Sequence, residues 1–194
     1  MSGDFAQGDV DRAVAALAAG QAVVIPTDTV YGLAADPRSS AAMERLFTLK
    51  ERPNGVPVAV LVADVADARG LIEWSPEIEE LAHAHWPGAL TIVGKALNAE
   101  MLAGTGETLG VRLADHAFVH ACAKRFGPIA ATSANRHGKP TITDPDELQD
   151  AFGSEVEVIV DGGVLDGIAS TVVDVTTVRP TILRQGVVLI KSAD

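Results

Sequence analysis

The sequence predicts an α/β fold in one domain, and three observations predict it. Short apolar runs of strand length recur along the chain, stretches with helical composition and capping residues separate several of them, and 47% of the 194 residues are hydrophobic, enough for a sizeable buried core. No internal repeat or low-complexity tract interrupts this pattern. One unit spanning 1–194, with a core from about 10 to 190, is expected.

The first element, Val10 to Ala19, has helical composition and stops at Gly20, a residue suited to the position after a helix C-terminus. Ala22–Ile25 follows as a strand, and Pro26-Thr27-Asp28-Thr29-Val30-Tyr31-Gly32-Leu33 leads out of it as a polar loop. Ser39 or Ser40 caps a helix running to about Lys50, and Pro57 to Val62 reads as a buried strand. Ser75-Pro76 opens another helix, and Ala89–Val93 and Leu109–Leu113 read as strands. Helix Ala117–Phe126 leads into strand Ile129–Ala131, and Asp144-Pro145-Asp146-Glu147 starts a further helix. Val156–Val160, Thr171–Val175, Thr181–Leu183 and Val187–Ile190 complete the strands.

Charge narrows the partners. Lys and Arg number 15 against 26 Asp and Glu, a formal charge of −11, so the molecule as a whole repels a phosphate backbone and free nucleic acid is not expected as a tight partner. Any anion it binds must meet a local group of its few cations. Cys122 is the only cysteine, which excludes an internal disulfide, fits a reducing compartment and reads as a buried inert thiol. Asp4, Asp9 and Asp11 give the N-terminus the wrong sign for a signal peptide, and no apolar run reaches membrane-spanning length, so a cytoplasmic protein with no membrane contact is expected. His116 and His120 have helical spacing without an acid to complete a metal site, and His83 and His85 would point apart, so no protein-held metal is expected. No G-x-x-x-x-G-K-[ST] occurs, so a nucleotide would be bound without a P-loop.

Several polar clusters stand at strand or helix ends, where α/β sheets usually meet ligands. Lys50 and Arg52 sit two residues apart beside Pro53, and an extended backbone would aim both the same way. Arg112 ends an apolar strand and needs an anionic partner, such as Asp115, or an open cleft. Ser133-Ala134-Asn135 offers hydroxyl, amide and backbone donors in a tight turn without the G-x-S-x-G pattern of an esterase nucleophile.

In order, PTDTVYGL, K-x-R-P, WPG-x-L-T, GVR, TSAN-x-x-G-x-P-T, ST-V-V-D and LR-x-G resemble the YrdC-like threonylcarbamoyl-AMP synthase family, of the short single-domain type, from about Gly20 to Gly186. The resemblance implies an open twisted mixed sheet flanked by helices with a concave ligand-binding face. It implies condensation of L-threonine, bicarbonate and ATP, with Mg2+ accompanying the ATP, to threonylcarbamoyl-adenylate and pyrophosphate, the first step of tRNA N6-threonylcarbamoyladenosine biosynthesis. Lys50 and Arg52 would then be catalytic. Thr29, Arg112, Thr132 and Ser170 would bind threonine, and Arg52, Thr108, Ser133, Asn135, Thr141 and Arg184 the nucleotide. The product would pass to a separate tRNA transferase through a transient contact. Two departures stand out: Val56-Pro57-Val58 replaces the family's Asn-Pro-Leu, and Leu61 takes the place of a histidine. A carbamoyl-adenylate-forming domain of the hydrogenase-maturation type and an RNA-binding module are the alternatives, opposed by the single cysteine and by the acidic charge with 4% aromatics respectively.

Overall fold

Alternation along the strands builds the frame, because successive residues of a strand face opposite sides of the sheet. The structure is a computed structural model that describes residues 5, 7–51, 58–98, 106–177 and 179–190; Arg52, Asn54, Val56 and Pro57 lie outside these. In chain order the elements are α1 (Gln7–Ala18), β1 (Val23–Ile25), β2 (Gly32–Ala35), α2 (Ser40–Lys50), β3 (Ala59–Leu61), α3 (Val65–Arg69), α4 (Pro76–His85) and β4 (Leu90–Lys95). Then follow β5 (Thr108–Arg112), α5 (Ala117–Phe126), β6 (Ile129–Ser133), α6 (Pro145–Phe152), β7 (Val158–Ile159), β8 (Thr171–Asp174) and β9 (Thr181–Arg184). Among the described residues all nine strands join one sheet, ordered β7-β1-β2-β6-β3-β5-β4-β8-β9. The sheet is mixed: β1 with β7, β3 with β5 and β4 with β8 run parallel, and the other neighbours run antiparallel.

Helix starts follow the capping residues. Ser39, Asp64, Ser75 and Asp144 each accept a backbone N–H of the first turn they precede, and proline follows Ser75 and Asp144 at the first helical position. Packing then divides the sheet. Val23, Ile25, Ala34 and Ile129 face α1 and α5 on one side, and their neighbours Val24, Leu33, Ala35 and Ala130 face α2 and α6 on the other. On the second half of the sheet, Val60, Ile92, Val111 and Val173 pack against α3, α4 and Trp86. Among the described residues, no helix is long and apolar enough to cross a membrane.

Three local expectations change, and one short helix is added. The polar loop after β1 ends at Tyr31 rather than Leu33, since Gly32–Ala35 pairs antiparallel with β1 and closes a hairpin. Segment Val187–Ile190 is not a strand. The Thr171 hydroxyl and the Gln185 amide donate to the Val188 carbonyl at 2.6 and 2.7 Å, so side chains occupy the acceptor a ladder would use. The run Val156–Val160 shortens to β7, and α3, five residues long and capped by Asp64, is too short for a periodic signal.

Candidate active site

Three of the four half-faces of the sheet carry helices, and the fourth is open among the described residues. There the strands from β6 to β9 line a cleft of about 380 Å³. Its floor is built by residues that alternate with the core positions: Thr108, Gly110 and Arg112 on β5, Thr91 and Val93 on β4, Val172 and Asp174 on β8. The middle is kept low by Ala59, Ala131 and Gly110, and a Cβ on Gly110 would come within 3.3 Å of the Thr91 methyl.

One pole is Lys50. It is the last residue of α2 and only 4% exposed, and Glu51 turns the chain away with φ 53°. The helix end, rather than an extended segment, therefore aims this side chain. Its ammonium donates to the Ser133 carbonyl at 2.5 Å, to the Ser133 hydroxyl at 3.0 Å and to Asn135 Oδ1. The Ser133 hydroxyl also donates to Asn135 Oδ1 at 2.7 Å, and Asn135 Nδ2 donates to the Lys139 carbonyl at 2.5 Å. Arg136, to which the motifs assign no role, holds this junction from behind. Its guanidinium donates to the carbonyls of Leu49 at 2.5 Å and Ala151 at 3.3 Å, near the ends of α2 and α6, while lying 4.7 Å over the Phe152 ring.

Arg112 forms the other pole. The registers place it level with Leu61 and Ile129, four residues along β6 from Ser133, or roughly 13 Å in the strand direction. Its Nε donates to the Gly88 carbonyl at 3.1 Å, Nη1 to the Thr29 hydroxyl at 3.0 Å and Nη2 to Asp28 Oδ1 at 2.5 Å. The ion pair is thus with Asp28, not Asp115. The loop that delivers Asp28 is stapled by Thr27, whose hydroxyl donates to the Val30 carbonyl at 2.6 Å and accepts from the N–H groups of Thr29 and Val30 at 3.2 Å.

Ser170 and Arg184 join this pole. Arg184 donates to the Ser170 carbonyl and hydroxyl, both at 3.0 Å, and the Ser170 hydroxyl lies 3.0 Å from that of Thr91. Both arginines line the cleft, and partial burial first and the charge of Arg112 second lower the Arg184 guanidinium from its ordinary value.

The cleft thus brings together Arg112, Ser170, Thr132, Ser133, Thr108 and Arg184. Thr29 and Asn135 stand behind it, on Arg112 and Lys50. Thr141 lies off the lining, in coil next to Ile142, whose N–H donates to the Ala134 carbonyl at 3.2 Å. Asp28, inside PTDTVYGL, and Gly88 and Thr91, inside WPG-x-L-T, are site residues to which the motif reading assigns no role. Leu61 lines the cleft as an apolar wall.

The sequence family Sua5/YciO/YrdC, described as telomere recombination, matches residues 15–186. A Bacillus subtilis protein named threonylcarbamoyl-AMP synthase is 35% identical over 184 residues, 91% of this chain and 53% of its own length. The crystal structure of Pyrococcus abyssi Sua5 complexed with L-threonine has a TM-score of 0.85 at 35% identity, covering 91% of this chain and 54% of that one. The crystal structure of Escherichia coli YciO has a TM-score of 0.87 at 26% identity, covering 96% and 93%. The chain spans about half the length of the Bacillus and Pyrococcus relatives and nearly all of YciO. The motif order, the open mixed sheet and these matches have one reading: the chain belongs to the Sua5/YciO/YrdC family.

Proposed function

We propose that this chain is an L-threonylcarbamoyl-adenylate synthase, condensing L-threonine, bicarbonate and ATP with release of pyrophosphate, as the first step of tRNA N6-threonylcarbamoyladenosine biosynthesis. The observation that carries the reading is a pair of cationic poles at one open floor of small residues: Arg112 in the lining of the cleft, and Lys50 bonded to the Ser133 that lines it. The reaction must hold a carboxylate, a carbonate and a triphosphate together while charge moves onto the leaving pyrophosphate, and preorganised cations and N–H groups stabilise that movement.

In this reading Arg112, with Thr29, Thr132 and Ser170, receives the threonine carboxylate and hydroxyl. Lys50 and Arg52 neutralise the reacting carbonate and phosphate centre, and Thr108, Ser133, Asn135, Thr141 and Arg184 hold the nucleotide. Mg2+ enters as part of the nucleotide substrate; among the described residues no cluster of three His, Cys, Asp or Glu side chains is placed to hold an ion. The unit acts in the cytoplasm as one domain and hands its product to a separate tRNA transferase through a transient contact. The charge of −11 opposes tight tRNA binding by the protein itself, and titration of labelled tRNA at physiological salt checks this.

The test of the reaction is incubation with ATP, bicarbonate and each amino acid in turn. Pyrophosphate and a threonylcarbamoyl-adenylate mass are expected with threonine. Absence of both, with folded protein, overturns the proposal.

A further inference from the structure

We propose that Asp28 reserves Arg112 for the amino-acid carboxylate by keeping the polyanionic phosphates of the nucleotide off it. The inference rests on the reaction proposed above.

That reaction poses a sorting problem. A triphosphate carries several negative charges and a carboxylate one, so in an open cleft the nucleotide wins any bare cation. Arg112 and Arg184 both face the cleft, near enough for one charge to depress the other's pKa. What separates them is their partners. Arg184 donates to the carbonyl and hydroxyl of Ser170, both neutral, so its charge stays available to phosphate. Arg112 is paired with a carboxylate: Asp28 Oδ1 is 2.5 Å from Nη2, and the two side chains are 13% and 7% exposed.

Pairing removes net charge without removing all hydrogen-bond capacity. A guanidinium has five N–H groups. Bonds to Gly88, Thr29 and Asp28 engage three of them, leaving one on each Nη without a partner among the described residues. Two N–H groups suit the two oxygens of a carboxylate. A phosphate chain approaching the same group meets the negative charge of Asp28 as well as the positive charge of Arg112, and gains little. Asp28 can hold this post because its loop is stapled by the Thr27 hydroxyl on both sides. His116, a titratable neighbour of Asp28, is pushed toward the neutral form by burial, against the opposing pull of Asp28 and Asp115.

The test measures competition in the full chain, with inorganic tripolyphosphate as the polyanionic probe. L-threonine is titrated by calorimetry into wild type and D28N at rising tripolyphosphate. The amide of D28N keeps an oxygen acceptor in place and removes the charge, and Asp28→Ser serves if D28N does not fold. In wild type the apparent Kd for threonine should stay constant. In the variant it should rise with the probe, about tenfold when tripolyphosphate reaches roughly nine times its own Kd. Competition already present in wild type, or absent from the folded variants, overturns the inference. Wild type that binds no threonine overturns both this inference and the proposed reaction; wild type that binds it, with variants that show no competition, overturns the role of Asp28 alone.

Discussion

The ammonium of Lys50 lies 2.5 Å from the carbonyl oxygen of Ser133 and 3.0 Å from its hydroxyl, tying the end of α2 to the end of β6. A cation held in this way is fixed before any ligand arrives, and fixed donors lose nothing to reorganisation when charge develops beside them.

Replacing Lys50 by Ala is therefore expected to lower turnover by about a hundredfold or more while the fold survives, read as the rate of pyrophosphate release. The same loss is expected for Arg52→Ala. Near-wild-type rates in either folded variant would remove that residue from the reaction.

Hydroxyls of Thr29 and Ser170 flank Arg112 and Arg184, and Thr132 lines the same cleft. A pocket built to bond a substrate hydroxyl rejects the analogue without one, since its own polar groups are then left unpaired. Threonine should exceed valine in kcat/KM by a wide margin. Equal rates with the two amino acids would mean that the apolar wall at Leu61, not the hydroxyls, sets the choice.

Arg136→Ala removes a donor shared by the carbonyls of Leu49 and Ala151 and uncovers the Phe152 ring. Loss of about 1–3 kcal/mol of stability is expected in urea denaturation. Turnover should fall too, because Lys50 directly follows Leu49; restored rates in Arg136→Lys with stability still reduced would separate the two effects.

Burial pushes the Cys122 thiol up to about 11, so the native protein presents almost no thiolate at neutral pH. An alkylating reagent should leave Cys122 unmodified until denaturant unfolds the chain. Rapid labelling of the native state would contradict the packing of α5 on α1.

His116 carries a buried Nδ1 without a hydrogen-bond partner among the described residues, and burial lowers its pKa from the ordinary 6.5 against the opposing pull of Asp28 and Asp115. As pH falls through 6.5 the unfolded chain takes up the proton before the folded one, so stability present above that pH is lost below it. His116→Gln should flatten the fall of stability between neutral pH and mild acid. An unchanged slope would assign acid sensitivity to other groups.

Helix positions are readable because their starts carry local chemistry: Ser39, Ser75 and Asp144 cap the helices that follow them, and the prolines behind two of these caps mark the first turn. Strand β2 is hidden by its composition, since Gly32-Leu33-Ala34-Ala35 lacks the β-branched residues that mark strands, and its partners on β1 and β6 decide its state. Motif residues such as Lys50, Ser133 and Arg112 can be named from sequence order. Their pairings cannot, because Asp28 reaches Arg112 across 84 residues of chain and Lys50 reaches Ser133 across 83. Arg136 escapes for a further reason: two of its acceptors are backbone carbonyls, which have no residue signature.

Strand β7 ends one rim of the sheet and β8 stands beside the opposite rim, seven places away in the strand order, yet residues 160–170 alone join them. Seven strand spacings amount to about 34 Å, and the link can stretch to roughly 40 Å only if every residue is extended. It is not: Gly163 and Gly167 turn it with positive φ, and the Tyr31 hydroxyl holds it by bonds to Gly162 and Gly163. A turned link spans this width only because the sheet is curved, and the same curvature makes one face of it the hollow in which the cleft lies.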